Sequence, residues 1–462
     1  MLRRKFLVSA APLAVAPAIS FAGSKVAVPS HVPKVVGLSE AGHLLRRVAF
    51  GFNDEDARAL LDRPLGAAVD TLLSLPDPDP VPLPAWFLAP PEVRKRPDLL
   101  TEAERRAIVE LQRQRVLDSA QWWFARMITS KNPVLERMTL FWHGHFASSA
   151  QKVYQSHLML EQNQVWRRHA MGDLLGFAGA VVKNPAMILY LDANRSTFKA
   201  PNENLARELM ELFLLGEGNY TEQDVKEAAR ALTGLNVLPH EGFSFVFQAG
   251  AHDTGVKTIF GKSGKFTYED VVSLILARKE CAHFIARELA HEVVGPNVDE
   301  ASIDAYAREF WESGYEIKVL LKSMLMSKAF WNPVHRGTVV KSPVSLVVEM
   351  ARAFRVPKDA AGLLFLASSR MGQVLLSPPN VRGWPGGNTW INSQTLVARR
   401  EFVSRLMGNA GMAYPQVVLD EGQKQALAQA YLAVEVDVSV MNGRSYGAFL
   451  ADLFGSAEFQ VS

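Results

Sequence analysis

The chain has 462 residues, 48% of them hydrophobic, with 25 Pro and 31 Gly; it can bury a large core, and its length would accommodate about three domains of ~150 residues. Lys plus Arg number 50 against 47 Asp plus Glu. Three of those cations fall in the first five residues, so the remainder is formally neutral and carries no basic block suited to nucleic acid or an anionic membrane. The single cysteine, Cys281, excludes an internal disulfide and any multi-cysteine zinc or iron–sulfur site, and its apolar neighbours predict a buried thiol.

Residues 1–22, "MLRRKFLVSAAPLAVAPAISFA", have the three parts of an export signal. Arg3, Arg4 and Lys5 form the charged start, an apolar middle comes next, and small residues allow cleavage after Ala22. The apolar run is too short and too rich in Pro and Ala to span a membrane. Arg3-Arg4 followed by Lys5-Phe6-Leu7 looks like the core of a twin-arginine signal, R-R-x-F-L, without the usual Ser or Thr before the arginines, and predicts passage through the twin-arginine export machinery; the alternative is an ordinary Sec signal, and either gives a periplasmic or extracellular location. Residues 23–36 read as a disordered linker, and the folded part as 37–462.

Helical signals dominate the rest of the chain. "SEAGHLLRRVAFGF" starts at Ser39 as N-cap, and "NDEDARALLDRPLGAAVDTLLSL" is capped by Asn53. Residues 76–98 are so rich in proline that they predict an extended surface connection. Thr101 and Glu104 make a capping box for a long helix, and helical patterns continue through "NPVLERMTLFWHGHF", "HLMLEQNQVWRRHAM" and residues 201–234. Thr221 and Asp224 cap "VKEAARAL". A small β-hairpin excursion is predicted near residues 243–265, around a turn at Asp253, Thr254 and Gly255. Helices then return to the C-terminus. The fold class is mainly α, with no tandem repeat, P-loop or Rossmann fingerprint.

Candidate chemistry gathers in a few blocks. Asn204, Arg207, Glu208 and Glu211 lie at i, i+3, i+4 and i+7, one polar stripe on the otherwise apolar "LARELMELFLL". It is either the wall of an internal site or a solvent face laced by the i, i+4 pairs Glu203–Arg207 and Arg207–Glu211. His143 and His145 flank Gly144 among aromatics. On a regular helix they point about 200° apart; in a helix-ending conformation, which Gly144 permits, they would fall on one side as ligands for a divalent transition metal. His252, Asp253 and Lys257 occupy a loop beside the strands, where Asp253 either transfers protons or closes a turn on its own backbone. Two E-x-x-H spacings, Glu280–His283 and Glu288–His291, resemble di-iron ligand pairs but lie on the same or consecutive short helices. "SPPNVRGWPGGNTWIN" is an irregular loop whose Trp384, Trp390, Asn380 and Arg382 suit a ligand cleft or a packed anchor. There is no G-x-S-x-G elbow.

The blocks "HLLRRVAFG", "FWHGHFASS", "NPAMILYLDANRS", "NENLARELMELFLLGEGNYTEQDVKEAARALTG", "HDTGVKTIFG" and "NVRGWPGGNTWIN", in this order from about His43 to about Phe402, resemble the bacterial family catalogued as domain of unknown function 1800. The resemblance implies an exported, mainly helical protein, often encoded beside a second exported family, domain of unknown function 1501, itself similar to sulfatases and phosphatases. Many relatives carry His where this chain has Phe213, so that position is not part of a site here. The resulting expectation is an exported enzyme, metal-assisted and hydrolytic. His143 and His145 would be its ligands, Glu208, Glu211, His252 and Asp253 its acid–base groups, and Arg207 an electrostatic clamp. The alternative is a non-catalytic envelope or export-associated binding protein in which the same groups form a structural network.

Overall fold

A computed structural model describes residues 32–77, 81–89, 100–238, 242–409, 419–441 and 445–462. The export signal and most of the linker, residues 1–31, lie outside the described residues, as do 78–80 and 90–99 of the Pro-rich connection. The last linker residues are ordered: Val36 is buried and exchanges backbone hydrogen bonds with Arg63 and Asp62 at 2.9 Å. Within the Pro-rich segment, a single helical turn at Ala85–Leu88 begins directly after Pro84, where a fixed φ suits a helix start.

The architecture is mainly α, as expected. The first helix (α1, Leu38–Val48) starts after Gly37 rather than Ser39, because Glu40 reaches back to the Gly37 amide at 3.0 Å. Asn53 caps its helix, but the run after it breaks into Asp54–Arg58 and Leu65–Leu73 around Pro64, which cannot donate within a helix. The Thr101–Glu104 box starts the longest helix (α2, Glu102–Thr129), followed by α3 (Pro133–His145) and α4 (Ser156–His169). Their shared interior carries charge. Glu136 of α3, fully buried, accepts from Arg126 of α2 at 2.6 Å, from Arg167 of α4 at 2.8 and 3.0 Å, and from the Trp123 indole at 2.9 Å. Burial pulls the Glu136 carboxyl up, but the two guanidiniums outweigh it and hold it below the ordinary range.

The β excursion is two separate hairpins, and pairing starts earlier than expected. β1 (Leu235–Leu238) pairs antiparallel with β2 (Ser244–Phe247), and β3 (Lys257–Ile259) with β4 (Lys262–Gly264). The second hairpin turns at Phe260-Gly261, both with positive φ, the backbone a two-residue turn demands. Asp253–Gly255 therefore joins two hairpins instead of turning one. One buried apolar cluster runs from Val36 to Phe459 and takes in the helices above except Ala85–Leu88, whose Trp86 and Phe87 pack against it. Cys281 is buried within it, and burial pushes its thiol up to about 12, so it is an inert core residue. Among the described residues no helix is long and apolar enough to cross a membrane.

Candidate functional site

The stripe on residues 204–211 sits on an irregular helix. Its first turn (α5, Asn204–Glu208) is α-helical, entered through an Asn202 side chain that accepts from the Asn204 amide at 2.9 Å. Leu209–Leu214 continue as a π-helix, with the Leu215 amide donating five residues back to Met210 at 3.1 Å, and the helix stops at Gly216 with φ +82°. A side chain at Gly216 would meet the Phe284 ring at 2.8 Å, so glycine serves both the turn and the close approach.

The wide turn splits the stripe. Asn204 is exposed, and Arg207, 32% exposed, donates to Glu203 at 3.1 Å and through both Nη atoms to Glu222 at 2.8 Å, on the helix Glu222–Ala231 (α6). The expected Arg207–Glu211 pair does not form, because a π-turn advances each side chain by less than an α-turn does. Glu211 instead accepts from the Tyr220 hydroxyl at 3.0 Å and from Arg382 at 2.9 Å, and Arg382 also reaches Glu217 at 3.1 Å. Glu208, half-buried, has no hydrogen bond or ion pair among the described residues. Its carboxyl is pushed above the ordinary range, by burial first and then by the Glu211 charge, against the weaker pull of Arg382 and Arg207. Tyr190 feels the Glu208 charge in addition to its own burial, and Lys152, paired with Asp192 at 2.7 Å, lies over the Tyr190 ring at 5.6 Å. Tyr190 and Tyr220 thus join the site without a signal in the sequence, while Arg382, read from the sequence only as part of a separate loop, is brought to the carboxylates by the fold.

The paired imidazoles support this site from behind. α3 is regular through His145, so the two rings point apart. His143 Nε2 accepts from the Leu376 amide at 3.1 Å, while the Leu376 carbonyl accepts from Ala150 at 2.8 Å. That clamp holds Leu376 at φ +64°, a conformation costly for a γ-branched residue, and launches the loop that delivers Arg382. His145 Nε2 donates to the Phe213 carbonyl at 2.8 Å, capping one of the open carbonyls at the end of the π-helix. Burial holds each imidazole down to about 4, hence neutral. Among the described residues no group of three or more His, Cys, Asp or Glu side chains is arranged to hold a metal ion. The E-x-x-H residues share one helix, Lys279–Val293, where Glu280 pairs with Arg278 and His283 lies 3.2 Å from Asp304.

Neutral buried histidines carry a pH signature. The unfolded chain takes up protons below 6.5 that folded His143 and His145 refuse until about 4. Stability therefore falls as pH drops through that window. Thermal unfolding from pH 8 to 5 should show a shallower fall in His143→Gln than in the wild type, and an unchanged slope would remove His143 from this account.

Gly144 is helical, and its role is contact. A side chain on Gly383, at φ +74°, would lie 2.2 Å from the Gly144 carbonyl, so the loop backbone seats directly on α3 while the Trp384 ring meets His143 at a tilt of 60°, centroids 5.5 Å apart. Gly383→Ala should cost about 1–3 kcal/mol by overpacking and lift Arg382 from Glu211. Urea unfolding together with proteolysis of the loop checks both effects; a variant of wild-type stability would mean the contact is not tight.

His252 and Asp253 form a separate network. Asp253 accepts from Arg230 at 2.7 Å and from the Gly255 amide at 2.8 Å, the turn-closing bond, and Lys257, fully buried, donates to its carbonyl. His252 Nδ1 donates to the Thr233 carbonyl at 3.0 Å. The Arg230 hydrogen bond holds the Asp253 carboxyl below the ordinary range. No hydrogen bond or ion pair links this network to Glu208 or Glu211 among the described residues.

The family model described as protein of unknown function (DUF1800) matches residues 43–461. The chain belongs to that family. No curated protein and no solved structure gives a significant match. The DUF1800 match takes in every element of the site, from His143 through the Glu208–Glu211 helix to the Arg382 loop.

Proposed function

We propose that this DUF1800 protein is an exported acid–base enzyme acting hydrolytically on a polar substrate. Glu208 is the proton-transferring carboxyl and Glu211 its neighbour, fixed by Tyr220 and Arg382. One observation carries the reading: of two carboxylates three residues apart, one just before the π-turn and one within it, Glu211 is held by Tyr220 and Arg382, while Glu208 is half-buried and has no partner among the described residues. Environments that separate two carboxyls in this way suit one to donate or accept a proton and the other to stabilise charge. π-turns are enriched at functional sites because the wide turn re-aims side chains. His143 and His145 act as supports, since Leu376 and Phe213 engage their Nε2 atoms. Arg207 is an anchor to α6.

Export is supported by the Arg3-Arg4 signal with its cleavage point after Ala22, so N-terminal sequencing of exported protein should begin at Gly23. The rival reading, a binding protein working beside a partner of the domain of unknown function 1501 family, is favoured by the ion pairs and hydrogen bonds that occupy Arg207, Asp253, His252, His143 and His145.

The two are separated by the reactivity of Glu208. A carbodiimide with an amine nucleophile activates protonated carboxyls, so peptide mapping at pH 6 should find Glu208 labelled ahead of exposed carboxyls such as Glu401. Chromogenic esters, phosphoesters and glycosides then identify the bond class, with turnover falling roughly 10²–10⁴-fold in Glu208→Gln. Labelling of Glu208 no faster than Glu401, with no turnover of any of these substrates, would favour the binding protein; wild-type turnover in the variant would remove Glu208 from the chemistry.

A further inference from the structure

The second half of α1 is buried on every side, yet it carries two arginines. His43, Arg46 and Arg47 lie at i, i+3 and i+4, so they share one face. Arg46 Nη1 donates to the Ala430 carbonyl at 2.5 Å, at the end of the helix Glu421–Tyr431. Gly42 makes that approach possible, since a side chain there would lie 2.7 Å from the same carbonyl. Arg47 Nη2 donates to the His335 carbonyl, and the next residue, Arg336, brings a third guanidinium to the cluster.

These three side chains are 3%, 1% and 7% exposed. Six of their nitrogens, Nε and Nη2 of Arg46, Nε and Nη1 of Arg47, and Nε and Nη2 of Arg336, are buried without a hydrogen-bond partner among the described residues. The nearby carboxylates attract the cluster without a hydrogen bond to it: Glu349 pairs through one oxygen with Lys341 at 2.7 Å and leaves Oε1 unpartnered among the described residues, Glu292 pairs with Arg137 at 2.5 Å, and Glu40 caps α1. Arg46 and Arg47 are each pushed down to about 9, by burial first, with Arg336 adding repulsion to both.

An arginine does not shed its proton in a protein, and the neighbouring carboxylates leave these six donors without an acceptor, so the face calls for one that no described residue supplies. Water supplies acceptors but no charge. Planar guanidinium forks match the oxygens of a tetrahedral oxyanion, and the burial leaves no path for a larger molecule. We propose that Arg46, Arg47 and Arg336 enclose one phosphate or sulfate ion, taken up as the chain folds.

The test uses the full exported chain. Protein purified in chloride-only buffer is denatured, and the released anions are quantified by ion chromatography, which separates phosphate from sulfate. One equivalent of either per chain is expected. The stripped protein is then refolded, and its thermal unfolding is followed against micromolar to low-millimolar phosphate or sulfate, with sodium chloride at matched ionic strength. A saturable rise in Tm with one oxyanion supports the site; the general salting effect of these ions does not saturate in that range. Arg336→Met should lose the oxyanion-dependent rise and, in chloride, unfold above the stripped wild type, because removing an uncompensated buried cation relieves the fold. Should that variant fail to fold, the wild-type release and titration decide alone. No released oxyanion, together with a wild-type Tm that tracks ionic strength only, overturns the proposal.

Discussion

Glu136→Ala should be the most damaging single substitution in the helical core, lowering stability by about 3–5 kcal/mol, the usual effect of breaking a buried ion pair from one side. The carboxylate joins three helices through Arg126, Arg167 and Trp123. Removing it leaves Arg167, 6% exposed, without an anion, and Arg126, 2% exposed, with only its pair to Asp77. Against a typical total of roughly 5–15 kcal/mol, the expected result is a sharp loss of soluble protein, or an early urea midpoint where the variant survives. Glu136→Gln should fall between, since an amide still accepts hydrogen bonds but neutralises nothing. A third variant tests the cause. Replacing Glu136, Arg126 and Arg167 together with apolar residues of similar volume should recover much of the loss, because the charges, not the packing, create the demand. A Glu136→Ala protein within about 1 kcal/mol of wild type, the range of exposed pairs, would show that water reaches the cluster.

How much of the fold is legible in the sequence depends on the range of the interactions. The capping boxes at Thr101–Glu104 and Thr221–Asp224 span three residues, and both form in the structure as expected. The mainly α class rests on many such local signals, so it survives single errors such as the helix break at Pro64 or the start at Gly37. β1 escapes a local reading because Leu235–Leu238 becomes a strand only by pairing with Ser244–Phe247. The π-turn escapes too, since "LMELFL" has the composition of an ordinary buried helix. At the site, Glu208 and Glu211 are visible as neighbours on one element. Arg382 meets Glu211 across 171 positions, through a loop whose seat depends on Gly144, Gly383 and His143. The H-x-H spacing misdirects for a related reason: two residues apart on a regular helix, the rings serve opposite neighbours, Leu376 on one side and Phe213 on the other.

Glu208→Gln should make the protein more stable at neutral pH as it removes activity, and the sign comes from the direction of the carboxyl's shift. Burial and Glu211 hold folded Glu208 above the ordinary value near 4.5. Above the folded value the ionised side chain weighs on the folded state alone. As pH falls through the folded value the native carboxyl takes a proton first, and below 4.5 both states are protonated and the difference is gone. A permanently neutral glutamine avoids that cost throughout. The Tm of Glu208→Gln should therefore exceed that of wild type at pH 7, and the two should converge below pH 4.5. Glu211→Gln should behave in the opposite way, losing stability at neutral pH because Arg382 and Tyr220 lose a charged acceptor. A structural carboxylate destabilises when neutralised, whereas one kept for proton transfer is a strain that the fold carries. If Glu208→Gln proves less stable than wild type at pH 7, the Glu208 carboxylate is being held by a partner, and its assignment to proton transfer fails with it.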